Sequence, residues 1–258
     1  MRIALLVLLS ILFSYTIPKQ KLVWSDEFNY TGAPDEKKWD YDLGTGSEGW
    51  GNHELECYTR DSKNVRVENG RLIIESHKDS LQGKPYTSTR ILSRHKGDWT
   101  YGRIEIRAKI PKAKGTWAAL WMMPTNFTYG NWPSSGEIDV MEHVGYEPSV
   151  IHGTIHTELY NHIKQTQKEG KITVADFDTN FHVYGINWQK DKIVFMVDEK
   201  PFYTVTRGNN EDFRGWPFDK PFYIIMNLAV GGDWGGKEGI DEKAWPQRME
   251  VDYVRVYQ

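Results

Sequence analysis

Apolar and polar residues alternate with a period of two along much of the chain, and this pattern determines the fold class. The clearest case is the segment YGRIEIRAKI, residues 101–110, in which Ile104, Ile106 and Ala108 alternate with charged side chains. Successive side chains of a β-strand point to opposite faces, so the segment is predicted to be a half-buried strand. No segment within residues 21–258 carries a helical apolar stripe of useful length.

Turn residues separate several such strands. Asn69-Gly70 lies between two β-rich runs in NVRVENGRLIIES, and both residues tolerate the positive φ of a tight hairpin. A second hairpin is predicted across Gln189 to Asp191, and the C-terminal MEVDYVRVYQ reads as a further strand. We therefore predict an all-β chain, a two-sheet β-sandwich of the jelly-roll type with an open concave substrate cleft.

The N-terminus predicts export. One early positive charge, Arg2, precedes the apolar run IALLVLLSILF, which is too short for a spanning helix and typical of a secretory signal. We predict a signal peptide over residues 1–17 and a secreted or periplasmic protein. Residues 18–258, about 240 residues without a Pro/Gly/Ser-rich linker, are predicted to form a single β-jelly-roll catalytic domain.

The amino-acid composition indicates which classes of molecule the protein can bind. The net charge is -3 and basic residues are scattered, so no nucleic-acid partner is expected. Eleven Trp, fourteen Tyr and ten Phe exceed what a core of this size requires, and their flat faces suit sugar rings. Cys57 is the only cysteine, so the exported chain has no internal disulfide and a catalytic thiol is not expected.

One predicted strand carries far more acid than a buried strand should. GEIDVMEHVG, residues 136–145, holds Glu137, Asp139 and Glu142, and ionised carboxylates are costly to bury unpaired. Glu137 and Asp139 share a face, whereas the spacing of five puts Glu142 on the other one. A β-bulge at Val140-Met141 would insert one residue and return Glu142 to the same face, lining a cleft with all three acids.

Two carboxyls across such a bulge can lie at about 5 to 5.5 Å, the separation of retaining glycosidases. Glu137 is then the nucleophile, and Glu142 is the acid/base, with a pKa raised by the neighbouring negative charges. Asp139 would hold a proton and hydrogen-bond the nucleophile. Two alternatives remain at this level: ion pairs with Lys or Arg on adjacent strands, or a metal site completed by His143, His152 and His156, although no zinc spacing is present.

These residues resemble those of a known family. GEIDVMEHVG is similar to the catalytic signature of glycoside hydrolase family 16, and the extra Met141 resembles the bulged form of its laminarinase-type members. WGNHELECYT (50–59), GTWAALWMMP (115–124) and the C-terminal NLAVGGDWGG and VDYVRVYQ resemble further segments of that family. The resemblance extends from about Leu22 to Gln258.

The resemblance implies endo-hydrolysis of a β-glucan polysaccharide, most of all at 1,3 linkages, with retention of configuration. Two departures concern subsites: Thr89 where relatives often have Gly, and Glu56-Cys57 where Gln and an aromatic are common. By position, the resemblance assigns the binding of sugar hydroxyls on the non-reducing side to Asn52, Glu54 and Arg90. It assigns the stacking of sugar rings to Trp117 and Trp121, and it implies that His156 is a cleft histidine on the leaving-group side.

The resemblance also implies a structural calcium ion away from the cleft, held by Glu27, the Gly70 carbonyl and Asp252, since hard oxygen ligands suit calcium. No cofactor is expected for catalysis. The mature chain is expected to be a monomer that binds neither nucleic acid nor a membrane.

Rival functions differ in what they require of the acids. A non-catalytic glucan-binding module would keep the tryptophans but has no need for Glu137, Asp139 and Glu142, so the intact acids favour an enzyme. A mixed-linkage 1,3-1,4-glucanase, a galactanase and a transglycosylase all remain compatible with this catalytic strand. A sulfated galactan would favour a more basic cleft than the net charge suggests.

Overall fold

The computed structural model describes residues 20–258 of the chain, so the predicted signal peptide lies outside the described residues. These residues form eighteen strands, one short helix and a π-helical turn. The first nine strands are β1 (Leu22–Asp26), β2 (Asp40–Asp42), β3 (Glu56–Tyr58), β4 (Val65–Glu68), β5 (Arg71–Ser76), β6 (Tyr86–Ser88), β7 (Arg90–Leu92), β8 (Asp98–Trp99) and β9 (Gly102–Lys109). The others are β10 (Thr116–Pro124), β11 (Glu137–Val144), β12 (Val150–His156), β13 (Lys168–Thr173), β14 (His182–Gln189), β15 (Lys192–Val197), β16 (Lys200–Thr206), β17 (Phe222–Val230) and β18 (Gln247–Tyr257).

Two antiparallel sheets form the body of the sandwich, which confirms the predicted all-β jelly roll. The back sheet has the order β16-β15-β14-β9-β18-β5-β4, with β1 paired to β18. The cleft sheet has the order β13-β12-β11-β10-β17-β7-β2, with β8 paired to β17. A parallel pair, β3 and β6, lies apart from them. The helix, α1 (Gly232–Gly235), and the π-helical turn (Gly49–His53) both lie at the cleft.

The local predictions hold where the pattern was clearest. The alternating segment 101–110 contains β9, and its apolar residues are 0–1% exposed. Asn69 and Gly70 have φ values of 54° and 72° and join β4 to β5 in a two-residue turn, as the sequence predicts. The hairpin across Gln189 to Asp191 is β14 and β15.

The core lies between the sheets and fixes the position of the acid strand. Leu120, Ile138 and Ile155 of the cleft sheet belong to the same buried cluster as Ile106 and Val254 of the back sheet, and all five are fully buried. Since β11 lies between β10 and β12, both of its edges are hydrogen-bonded. The opposite face of β11 is therefore free to carry polar side chains into the cleft.

Among residues 20–258, no helix combines the length and the apolar character needed to cross a membrane.

Candidate active site

The three acids of β11 line one cleft, and the bulge that this requires is present. Asp139 pairs with Thr154 and Glu142 with His152, so three residues of β11 advance against two of β12. On the other side, Leu120 pairs with Met141 and the next residue of β10 with Asp139, so the pairing skips Val140. The predicted bulge at Val140-Met141 is thereby confirmed, and Glu137, Asp139 and Glu142 all contribute to the cleft.

The cleft acids have no partner among the lysines and arginines of the described chain. The one ion-pair contact of the three is between Asp139 Oδ2 and His156 Nε2, at 3.3 Å. Asp139 is 1% exposed and Glu142 9% exposed. Within residues 20–258, these three acids therefore lack the ion pairs with Lys or Arg that were considered from the sequence.

Burial sets the proton affinity of these carboxyls. Burial, and then the charge of Asp139, raises the pKa of Glu137 to about 8. Burial also raises the pKa of Asp139 to about 7, while the neighbouring Glu137 side chain acts to lower it. For Glu142, burial is the larger cause of a pKa well above its usual range, and the charge of Asp139 comes second. The predicted rise caused by neighbouring negative charges is therefore present, and burial, which was not predicted, contributes more.

Each outer acid receives one indole hydrogen bond. Trp117 Nε1 donates to Glu142 Oε1 at 2.9 Å, and Trp132 Nε1 donates to Glu137 Oε2 at 2.5 Å. A hydrogen bond to the charged form lowers a carboxyl pKa, so both indoles oppose the effect of burial. Trp132 was missed from the sequence, because it lies in the loop before β11 and only the path of that loop brings it to the acid.

The half of the cleft formed by β7, β17 and the π-helical turn contains four of the predicted sugar binders. Asn52 Nδ2 donates to Glu54 Oε1 at 3.2 Å. The guanidinium of Arg90 lies 4.8 Å from the Trp50 ring and 4.7 Å from the Trp121 ring. We call this the donor half, because the residues predicted to bind the non-reducing side of the substrate lie here.

Two side chains in this half, Asn227 and Trp50, were not predicted to belong to the site. Trp121 Nε1 donates to Asn227 Oδ1 at 2.7 Å, and Trp50 packs against Arg90. Asn227 lies in the otherwise apolar β17, FYIIMNLAV, and that single polar residue was the available signal.

The half beyond Glu142, formed by β12, β13 and α1, contains His156. His156 lies opposite Glu137 across the β11–β12 pair, and its ring is 6.2 Å from Trp132 and 5.3 Å from His162. His162 and Trp234, which also line this half, were not predicted. We call it the acceptor half, because His156 was predicted to lie on the leaving-group side of the substrate.

A metal site with His143 is excluded by the direction of that side chain. His143 follows Glu142 and therefore points to the opposite face, where it is fully buried and packs on Phe177. Burial lowers its pKa to about 4. The closest set of possible metal ligands in the cleft is Glu137, Asp139 and His156, with ligand atoms within 4.8 Å of one another.

The three residues predicted to hold calcium come together away from the cleft. Glu27, Gly70 and Asp252 line one pocket on the back sheet, although they are far apart in the sequence. Each carboxylate is paired with an arginine: Arg255 contacts both oxygens of Glu27 at 2.9 and 2.8 Å, and Arg107 contacts Asp252 at 2.5 Å.

Comparison with known proteins places this cleft in a family. The family model described as glycosyl hydrolases family 16 matches residues 52–255. The chain belongs to glycosyl hydrolase family 16. The resemblance read from the acid strand is thus confirmed, with its bulge in place.

Individual members of family 16 match nearly the whole chain. The chain is similar to a β-glucanase of Rhodothermus marinus, with 52% identity over 250 residues, 93% of this chain and 86% of that protein. A glucan endo-1,3-β-glucosidase of Cryptopygus antarcticus is 38% identical over 250 residues, 91% of this chain and 90% of the other. The X-ray structure of the laminarinase from Rhodothermus marinus superposes with a TM-score of 0.91 at 51% identity, over 94% of this chain and 98% of that one.

We predict that Glu137→Gln raises the melting temperature more at pH 8 than at pH 4. A carboxyl whose pKa rises from 4.5 to about 8 on folding binds its proton more tightly in the folded state. Its contribution to stability is therefore full below pH 4.5 and is lost as the pH rises toward 8, whereas an amide does not titrate. Melting curves of both proteins at several pH values measure this difference.

Glu68→Gln is the matched control, because the hydrogen bond from Arg66 lowers the pKa of Glu68. That variant should lose more stability at neutral pH than at acid pH, the opposite trend. Parallel melting profiles of Glu137→Gln and the unmodified protein would contradict the burial of an uncompensated acid at this position.

Proposed function

We propose that the protein is an endo-β-1,3-glucanase that acts with retention of configuration. The observation that carries the proposal is the bulged strand β11, which brings Glu137, Asp139 and Glu142 onto one wall of a tryptophan-lined cleft. Retaining glycosidases need two carboxyls that flank the scissile bond, one as nucleophile and one as proton donor. No stability role explains three neighbouring cleft acids, two of them buried, without a lysine or arginine partner.

Glu137 attacks the anomeric carbon while Glu142 gives its proton to the glycosidic oxygen, so the leaving chain departs with a new hydroxyl. Water then attacks the glycosyl-enzyme, Glu142 takes a proton from it, and Glu137 is released as a carboxylate. The raised pKa of Glu142 supplies the protonated acid for the first step. Glu137 reacts in its ionised form, which the Trp132 N–H stabilises by lowering the pKa of this carboxyl.

The linkage is assigned from the similar proteins. They are a β-glucanase, a glucan endo-1,3-β-glucosidase and a laminarinase, which are all enzymes of β-glucans. Mixed-linkage glucanase and galactanase or transglycosylase activity remain the runners-up, and a glucan-binding module has no use for the acids. Release of reducing sugar from laminarin, barley mixed-linkage glucan and agarose compares them directly.

We predict that azide rescues Glu142→Ala on a substrate with an activated leaving group, such as a dinitrophenyl β-laminaribioside. Such a leaving group needs no proton, so the glycosyl-enzyme forms, and azide then reacts where no base is needed. The product should be a glycosyl azide of retained configuration, identified by NMR. An azide of inverted configuration from this variant would exchange the roles of Glu137 and Glu142.

We predict that Trp121→Ala raises KM for laminarin and lowers kcat/KM with little loss of stability. Trp117, Ala119 and Trp121 alternate on one face of β10 and line the cleft, where rings can stack on successive sugars. Kinetics on laminarin beside a melting curve measure both effects.

Trp39→Ala serves as the buried control, because Trp39 is 1% exposed in the core. Truncation of a buried tryptophan should destabilise the fold by about 3 to 5 kcal/mol. A stability loss of that size for Trp121→Ala, with normal kinetics per folded molecule, would remove Trp121 from the substrate site.

We further propose that a structural calcium ion binds Glu27, the Gly70 carbonyl and Asp252. The support is that three oxygen donors from distant parts of the chain line one pocket. Because Arg255 and Arg107 already neutralise the two carboxylates, the ion competes with these pairs. The ion has no part in the reaction.

We predict that calcium raises the melting temperature, because an ion bound only by the folded state stabilises it by mass action. EGTA should reverse the shift without abolishing activity in the cold. Asp252→Asn should remove the shift, whereas Asp191→Asn, an exposed acid outside the pocket, should retain it. A melting temperature that does not respond to calcium in the unmodified protein would contradict this site.

We also propose that residues 1–17 direct export, and that the mature enzyme is a secreted or periplasmic monomer. The early Arg2 and the apolar run after it support export. The mass of the exported protein, read as an N-terminal truncation, and its sedimentation in solution test both statements.

A further inference from the structure

A buried histidine in the acceptor half is held between two acids. His152 is 1% exposed; its Nε2 lies 3.0 Å from Glu147 Oε2 and its Nδ1 lies 2.5 Å from Glu169 Oε1. A neutral imidazole has a single N–H and can donate to one of these oxygens only. The imidazolium form satisfies both contacts with charge-assisted hydrogen bonds. We call Glu147, His152 and Glu169 the His152 triad.

Strand register puts the triad next to the reacting acids. His152 lies opposite Glu142 in the β11–β12 pair and opposite Lys171 in the β12–β13 pair. Glu169 lies opposite Thr154, which in turn lies opposite Asp139. Paired residues of adjacent strands share a face, so the triad is on the cleft side of the sheet, beyond Glu142 as seen from the donor half.

The two carboxylates reach the cleft surface and each keeps an oxygen for a further partner. The side chains of Glu147 and Glu169 are 31% and 25% exposed and line the acceptor half of the cleft. The second oxygen of Glu169 has Lys171 at 3.7 Å, beyond hydrogen-bond distance, and the second oxygen of Glu147 has no hydrogen bond within the described residues. Gln167 Oε1, in the same half, is also without a partner there.

We propose that Glu147 and Glu169 bind hydroxyl groups of the leaving-group glucan chain, and that His152 is a positioning residue that fixes both carboxylates. The proposal rests on the proposed glucanase function, because it takes Glu142 to be the group that protonates the leaving oxygen. Sugar hydroxyls donate to carboxylate oxygens, and a carboxylate already held by its hydrogen bond to His152 loses little rotational freedom when a sugar binds. The hydrogen bond from His152 also lowers the pKa of Glu169 and keeps it an acceptor.

The triad carboxylates also discriminate between a hydroxyl group and a sulfate ester on the leaving chain. Glu147, Glu169 and Asp233 line the acceptor half together with Lys171 and Lys237. A sulfate ester on the leaving chain would meet the two triad carboxylates at the positions where a hydroxyl binds, and like charges repel. At these two positions the triad therefore disfavours a sulfate ester relative to a hydroxyl group.

The triad is connected to the acid/base residue through two rings. Trp234 packs edge-on against His152 at 4.9 Å and against Trp117 at 5.4 Å, and Trp117 donates to Glu142. A variant of the triad that disturbs this packing would alter the chemistry itself. The test must therefore separate binding of the leaving chain from catalysis at Glu142.

Two substrates make this separation. A nitrophenyl β-laminaritrioside places its sugars in the donor half, and its leaving group is a nitrophenol. Laminarin, in contrast, must place sugars in the acceptor half. For Glu147→Gln and Glu169→Gln, kcat/KM on laminarin should fall about tenfold, as expected for loss of a hydrogen bond to a charged group. On the nitrophenyl substrate, kcat/KM should change less than twofold, because this substrate places no sugar against the triad. Its kcat should also be kept, because hydrolysis of the glycosyl-enzyme needs an intact Glu142.

His152→Asn tests the positioning role. Its loss on laminarin should match or exceed that of either Gln variant, and in the triple variant with both Gln substitutions it should add less than twofold, because it acts through the two carboxylates. Melting curves accompany each variant, and the two Gln variants keep the test open if His152→Asn does not fold. Glu199→Gln, an exposed acid outside the cleft, should behave like the unmodified protein, and Asn52→Ala should impair both substrates.

Two results would overturn the proposal: equal losses on both substrates, or no loss on either. The proposed function fails separately, if the unmodified protein cleaves the nitrophenyl substrate but releases no reducing sugar from laminarin.

Discussion

The active site depends on three carboxyls, two of them buried, that are held together without a lysine or arginine partner. Glu137, Asp139 and Glu142 are held on one strand because both edges of β11 are hydrogen-bonded and its other face belongs to the core. A free strand would turn such acids to water. The free energy that keeps them in place therefore comes from residues such as Leu120 and Ile138, which take no part in the chemistry.

The bulge gives two like residues opposite properties. It separates Glu137 from Glu142 while leaving both in the cleft, so each meets a different neighbour: Trp132 and the carboxyl of Asp139 for one, Trp117 for the other. Burial raises both pKa values, and each indole lowers one of them. In the proposed mechanism, the Trp132 N–H favours the anionic form of Glu137, which attacks, while Glu142 starts protonated.

The sequence correctly predicts those features that are controlled by periodicity and turn chemistry. The alternation in β9, the turn at Asn69-Gly70 and the bulge at Val140-Met141 depend on local spacing, and all three are present. Trp132 and Trp234 were missed because their contacts depend on how loops fold back over the sheet, which spacing does not encode. The order of causes for the pKa of Glu142 was also out of reach, because burial depends on every strand around it.

The two halves of the cleft differ in their chemistry, and the difference bears on the fate of the glycosyl-enzyme. The donor half offers rings and a guanidinium, whereas the acceptor half offers the carboxylates of the His152 triad. In the proposed mechanism, Glu142 is the base for any acceptor, water or sugar. A glucan chain held by the triad therefore competes with water at the same carboxylate. The balance between hydrolysis and transfer then depends on the acceptor half, since the catalytic acids serve both reactions equally.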